Sequence, residues 1–341
     1  MSKENFETSL MNLEKIVAEL ESGKLSLEDS LDRYKQGIDL IKNCNDLINN
    51  AEKEVAKLTK DFIEENKDQL NSFAKEYVEK LDIPDILKES ITYSLVNDGK
   101  KIRPLSFLYL LKYYEVDYTN YFDIALAIEL VHTYSLVHDD LPEMDNDDYR
   151  WGKLTNHKVF GQDLAVLTGD AMLTLAFEVL SDSNVEPTLK VRLIKQFANY
   201  SGAMGMIAGQ VYDVKQKNYN VDADYLRKMH SLKTGRLIEL PMDFACLVAD
   251  KNCDYEDVKE FGKQLGIAYQ IKDDILDYYG DFEKIGKLPS DEDMITYLSF
   301  YGIEECEELL QKHTENAINI ANKLNNGLLV DFANYLLKRD K

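Results

Sequence analysis

Two short stretches concentrate carboxylates in this chain, His138-Asp139-Asp140-Leu141-Pro142-Glu143-Met144-Asp145 and Asp273-Asp274-Ile275-Leu276-Asp277. Each sets three Asp within a few positions at the end of an apolar, helix-periodic segment, and Asp273 and Asp277, four apart, share a helix face. Like charges crowded together push one another's pKa up, so such a cluster is unfavourable unless a cation sits among the carboxylates. Hard oxygen donors suit Mg2+, which keeps several waters and binds through one or two carboxylates plus substrate phosphates. A Mg2+-diphosphate site is the chemistry these residues point to. The bland alternative is a solvated acidic surface, and the recurrence of the pattern after two apolar helices weighs against it.

Cationic and amide side chains that could grip phosphates are spread along the chain. Lys100 and Arg103, three apart, share a helix face after the Asp98-Gly99 turn; alone, such a pair is ordinary surface. Lys233-Thr234, Arg150 and Gln270 lie in or beside other candidate segments. Gly202, Gly205 and Gly209 permit close helix contact and lead into Gln210-Val-Tyr-Asp213. Residues 121–141 and 163–180 read as apolar buried helices, and Asp147–Gly152 with Thr155-Asn156-His157 as loop. His138 and His157 read as structural.

The 341 residues exceed one core of usual size, and 45% hydrophobic content can bury a substantial one. Six Pro and 16 Gly in a chain rich in Leu, Glu and Lys argue for mostly helix. A formal net charge of −22 opposes binding to nucleic acid or anionic membrane. The four cysteines form no CxxC pair, the N-terminus lacks a signal-peptide core, and no run of 18 apolar residues occurs, so a soluble cytoplasmic protein without a membrane span is expected.

Residues 1–59 read as an antiparallel helical hairpin. Phe6, Leu10, Leu13, Val17 and Leu20 form one a/d seam; Gly23 ends that helix, and Ser26-Leu-Glu-Asp29 opens the next. Leu27, Leu31, Tyr34, Ile38, Ile41, Ile48 and Val55 continue the seam, with Asn45 at an a position. Leu13-Glu14, Ile16-Val17, Leu20-Glu21-Ser22-Gly23, Leu25-Ser26-Leu27-Glu28, Ser30-Leu31, Tyr34, Gly37 and Ala51-Glu52 give this hairpin its resemblance to the small subunit of exodeoxyribonuclease VII. The resemblance implies a non-catalytic module that binds the large nuclease subunit. Nine basic against twelve acidic residues in 1–60 give no stripe for binding DNA alone.

Residues 60–341 resemble the trans-isoprenyl diphosphate synthases, closest to bacterial farnesyl diphosphate synthases. The resemblance implies an all-α bundle around one central cavity, a homodimer, and three Mg2+ per active site. Asp139, Asp140 and Asp145 match the first aspartate motif in its DDxxxxD form; Asp273, Asp274 and Asp277 match the second, DDxxD. By the same matching Lys100, Arg103 and His132 take isopentenyl diphosphate, and Arg150, Lys233 and Thr234, with Gln270 nearby, surround the allylic diphosphate and its metals. Tyr134 and Ser135, just before the first motif, stand where the family sets product length, and imply farnesyl diphosphate. Two departures count against full activity. Trp151 replaces a second Arg after Arg150, and the segment from Gly286 to Tyr297 is shortened, with Met294 in place of a Lys. The alternative they raise is a degenerate synthase domain acting as a scaffold or prenyl diphosphate binder on a nuclease subunit.

Overall fold

The computed structural model describes residues 6–97, 99–216, 221–251, 254–279, 295–324 and 327–337. Asp98, Cys253 and the Gly286–Met294 segment lie outside them, as do the side chains of Ala51, Glu52 and Val55. The chain divides into two compact units, Met1–Asp61 and Phe62–Lys341. Both are helical, as expected.

In the first unit, α1 (Phe6–Glu21) stops at Gly23, whose φ of +65° suits a residue without Cβ, and α2 (Leu27–Glu79) continues past the unit boundary. Ser26 Oγ accepts from Asp29 N at 3.1 Å, the forward half of the capping box read from the sequence, and its hydroxyl donates to Asp29 Oδ2 at 2.6 Å. The seam differs from the expected one. Ser9, Leu13, Ile16 and Leu20 face inward against Gly37, Leu40, Cys44 and Leu47. Asn43 Nδ2 donates to Ser9 Oγ across the pair at 3.1 Å, and Arg33 pairs with Glu19 at 2.9 Å. Phe6, Leu10, Val17, Leu31, Tyr34, Ile38, Ile41 and Ile48 are exposed, and so is Asn45. The leaner stripe, which includes Ser9 and Gly37, packs inside, and the bulkier one is left outside. Most of these exposed residues follow an inward-facing one by a single position, which in an antiparallel pair puts them on one common face.

The second unit continues from α2 through α3 (Asp85–Leu95), α4 (Ile102–Tyr113) and α5 (Phe122–Asp139). The segment expected as loop contains a two-stranded antiparallel hairpin, β1 (Tyr149–Arg150) and β2 (Lys153–Leu154), and a short helix α6 (Asn156–Phe160). Strands of two residues leave no readable periodicity. Their turn, Trp151-Gly152, has both φ values positive (50° and 75°), as a tight hairpin requires. There follow α7 (Gln162–Asp182), α8 (Pro187–Ser201), α9 (Met206–Lys215), α10 (Ala223–His230), a π-helical turn at Ser231–Gly235, and α11 (Arg236–Val248). The rest is α12 (Tyr255–Tyr279), α13 (Ile303–Lys323) and α14 (Gly327–Leu337).

Helices α4, α5 and α11 are apolar on nearly every side and are buried accordingly, forming the centre of the core. Helix α5 packs on α4 and α7, and α11 packs on α4, α8 and α12. Helix α7 is long and apolar enough to cross a bilayer, but it packs on α3, α5 and α8 and reads as a core helix. Val166 and Leu167 on α7 stay exposed.

Gly209 on α9 meets the π turn directly: a Cβ there would lie 2.0 Å from the backbone N of Lys233. Gly209→Ala must therefore displace backbone, at a cost of about 1–3 kcal/mol for overpacking. Urea denaturation followed by circular dichroism is expected to show that loss, with an unchanged slope.

Candidate active site

Helix α5 delivers its carboxylates at its C-terminal end, where unpaired carbonyls already give negative potential. Asp139 is the last helical residue and Asp140 the cap. The chain then folds back on itself, since Asp145 N donates to Asp139 O at 2.9 Å and Asn146 N to Leu141 O at 3.1 Å. The four-residue spacing between Asp140 and Asp145 is thus a closed loop that returns the third acid beside the first. Burial pushes Asp139 up to about 7 and raises Asp140 and Asp145.

Two cationic side chains answer this charge. Lys233 Nζ donates to Asp213 and lies 3.8 Å from Asp139 Oδ2. Burial acts to lower the Lys233 pKa, but attraction to Asp139, Asp213 and Asp145 outweighs it and raises it. Arg150 Nε donates to Asp140 Oδ1 at 2.7 Å, and its Nη2 lies 3.4 Å from Asp147. The hairpin carrying Arg150 is anchored by Tyr93 OH to Leu154 O (2.6 Å) and by Thr155 Oγ1 to Asp147 O (2.8 Å). Just beyond it, Asn156 Nδ2 reaches Ser90 O and Ser94 Oγ, and Ser90 shares a hydrogen bond with Thr168. A cavity of about 40 Å³ behind Asp140 and Arg150, lined by Tyr93, Asn97, Thr133 and Trp151 among others, is water-sized.

The second acidic set also sits near a helix C-terminus, in the last turns of α12. A hydrogen-bond chain ties it to the π turn: Thr234 Oγ1 donates to Gln270 Oε1 (3.0 Å), and Gln270 Nε2 to Asp274 Oδ1 (2.9 Å). Tyr297 N donates to Asp274 Oδ2 at 2.8 Å. Burial pushes Asp274 up to about 7, while Asp273 and Asp277 are half-buried.

Arg103 and His132 meet where α4 faces α5, with Arg103 Nη1 3.2 Å from His132 Nε2. Burial, and then the charge of Arg103, drives His132 well below its ordinary pKa. It is therefore a neutral ring that can accept the guanidinium hydrogen. Burial lowers the pKa of Arg103, and the charges of Tyr269, Glu129 and Asp273 oppose that shift. Lys100 is half-buried at the start of the same segment. Tyr134 is buried, its ring edge-on to His138 at 5.8 Å, and its hydroxyl has no partner among the described residues. Ser135 Oγ donates to His132 O. His138 is held by the carbonyl of Val166 at 3.0 Å, consistent with a structural role.

Among the described residues no three His, Cys, Asp or Glu side chains stand together closely enough to hold a metal ion. The Asp139 and Asp140 carboxylates are drawn instead to ammonium and guanidinium groups. An ammonium lodged between Asp139 and Asp213 marks where positive charge is favoured, and hard oxygen donors at that place fit Mg2+. Asp213 and Gln210 were legible only as a glycine-led motif. Asp213 fixes Lys233, and both polar atoms of the buried Gln210 amide lack partners among the described residues.

Comparison with known proteins gives two family matches. Residues 84–330 match the polyprenyl synthetase family model, and residues 6–57 match that of the exonuclease VII small subunit. The chain is 39% identical to the farnesyl diphosphate synthase of Geobacillus stearothermophilus, over 75% of this chain and 89% of that protein. It is 38% identical to that of Bacillus subtilis, over 83% and 99%. An FPP/GFPP synthase structure from Zymomonas mobilis superposes with a TM-score of 0.75 at 31% identity, covering 83% of this chain and 99% of the other. The geranyltransferase of Helicobacter pylori, complexed with magnesium and isoprenyl diphosphate, does so with 0.71 at 30% identity, covering 80% and 96%. From the match across residues 84–330 and these identities, the chain belongs to the polyprenyl synthetase family.

Proposed function

We propose that residues 60–341 catalyse head-to-tail condensation of isopentenyl diphosphate with dimethylallyl or geranyl diphosphate, giving farnesyl diphosphate. The observation that carries this reading is the pairing of Lys233 with Asp139 and Asp213, and of Arg150 with Asp140, at the end of an apolar helix. Lys233, Arg150, Thr234 and Gln270 bind the allylic diphosphate; Lys100, Arg103 and His132 bind isopentenyl diphosphate. Asp139, Asp140, Asp145, Asp273, Asp274 and Asp277 are the ligands of Mg2+, three ions per site. When bound, Mg2+ supplies positive charge against the leaving diphosphate.

The C1–oxygen bond of the allylic substrate breaks and its electron pair departs with the diphosphate, leaving an allylic cation. Lys233 and Arg150 stabilise the developing anion by charge-assisted hydrogen bonds. The isopentenyl double bond attacks C1, a carbon–carbon bond forms, and a proton is lost to the departing diphosphate. Tyr134 and Ser135, about one turn before Asp139 on α5, limit chain length, and the apolar faces of the surrounding helices keep water from the cation. The synthase unit works as a homodimer in the cytoplasm, a compartment supported by the free, buried Cys44, Cys246 and Cys306.

Residues 1–59 bind an exonuclease VII large subunit, without direct nucleic-acid contact of their own. Support comes from the exposed apolar face built by Leu10, Val17, Leu31, Ile38, Ile41 and Ile48. A second reading, a degenerate synthase domain serving as scaffold, draws on Trp151, whose indole packs against Gly99 where the family carries a phosphate-binding Arg.

Purified protein given isopentenyl diphosphate, geranyl diphosphate and Mg2+ is expected to release a C15 product, with an Asp139→Ala/Asp273→Ala protein as the blank. Folded protein yielding nothing above that blank would leave the scaffold reading standing. In an active enzyme, Trp151→Arg is expected to lower the KM for isopentenyl diphosphate about tenfold, the size of one charge-assisted contact; an unchanged KM would remove Trp151 from the subsite. Ile38→Asp/Ile41→Asp is expected to abolish co-purification with a nuclease large subunit while turnover stays at the wild-type value. Retained capture would refute docking through that face.

A further inference from the structure

The homoallylic subsite contains a buried ion pair that takes no part in the condensation. Lys101 directly precedes α4 with φ 50° and ψ 33°, a left-handed conformation that is costly for a residue with a Cβ. Its side chain is 1% exposed, and its ammonium donates to Glu129 Oε1 at 2.8 Å, Leu95 O at 2.7 Å and Asn97 Oδ1 at 3.3 Å. Three acceptors match three hydrogens. A buried pair of this kind returns little net stability, because desolvation offsets the attraction. What it does supply is a fixed position.

That position is the backbone between Lys100 and Arg103. Glu129 and His132 are one turn apart on α5; the first holds Lys101, the second meets Arg103 at 3.2 Å. Glu129 also figures among the charges felt by Arg103. From the other side, Asn97 Oδ1 accepts both Lys101 Nζ and Gly99 N (2.7 Å), and the Trp151 indole lies 3.1 Å from where a Gly99 Cβ would stand. The segment is held at both ends.

We propose that Lys101 and Glu129 are positioning residues for the homoallylic diphosphate: their buried pair locks the left-handed turn from which Lys100 and Arg103 reach the ligand. The inference rests on the prenyl-transfer reading above. It is tested on the full chain by steady-state kinetics of Glu129→Gln, Lys101→Met and the double variant Lys101→Met/Glu129→Leu, varying isopentenyl and geranyl diphosphate separately. The expected result is a rise of at least about tenfold in KM for isopentenyl diphosphate, since small displacements of a binding group cost that much or more. KM for geranyl diphosphate and kcat are expected to stay within about threefold, because neither residue touches the allylic side. The double variant leaves no unpaired charge, so it carries the test if a single variant does not fold, and its KM is expected to stay raised. Equal changes in both KM values, or a double variant that regains the wild-type KM, would overturn the proposal. A folded wild-type protein without turnover would instead sink the prenyl-transfer reading and take this inference with it; an active wild type with unaltered variants removes the inference alone.

Discussion

Carboxylates at the C-terminal end of a buried helix are doubly disfavoured, by burial and by the helix dipole, and the architecture of this protein is arranged around that problem. Asp139 and Asp140 terminate α5, the helix at the centre of the core, and Asp145 is folded back against them. The π turn exists where it brings Lys233 to Asp139, and α9 reaches it only because Gly209 lacks a side chain. The short β hairpin exists where it brings Arg150 to Asp140. Elements that look irregular are thus the ones that carry compensating charge.

The same economy joins the two acidic sets. Gln270 couples Thr234 in the π turn to Asp274 on α12, so the turn that positions Lys233 also contacts the second set. Arg103, deep between α4 and α5, feels Asp273 as well. A substrate diphosphate with its metal ions, in the proposed reading, would exchange these internal ion pairs for stronger ones. In the hairpin unit the inward stripe includes Ser9 and Gly37, and the bulkier apolar stripe stays exposed.

Much of this was legible in the residues. The apolar run ending at Asp139, the capping residues Ser26 and Asp29, the stop at Gly23 and the close contact at Gly209 follow from periodicity, side-chain chemistry and the missing Cβ, all local properties. The hairpin around Trp151 was not legible, because two-residue strands carry no period and a Trp at positive φ is locally unfavourable. The hairpin seam was misassigned for a related reason: a heptad pattern shows that a stripe is apolar, and packing of the facing helix decides which stripe turns inward.

The sequence by itself determined an all-α chain with two acid clusters at helix ends, a hairpin module before a synthase-like unit, and the residue types suited to diphosphate and Mg2+. Those follow from composition, spacing and the charge that one short segment must carry. Only the tertiary structure decided that Lys233 is shared between Asp139 and Asp213, that Lys101 is spent on Glu129 while Arg103 meets His132, and that Trp151 lies on Gly99. These are contacts between residues far apart in the chain. Their partners are selected by which helices pack together and by where a buried charge can find its opposite.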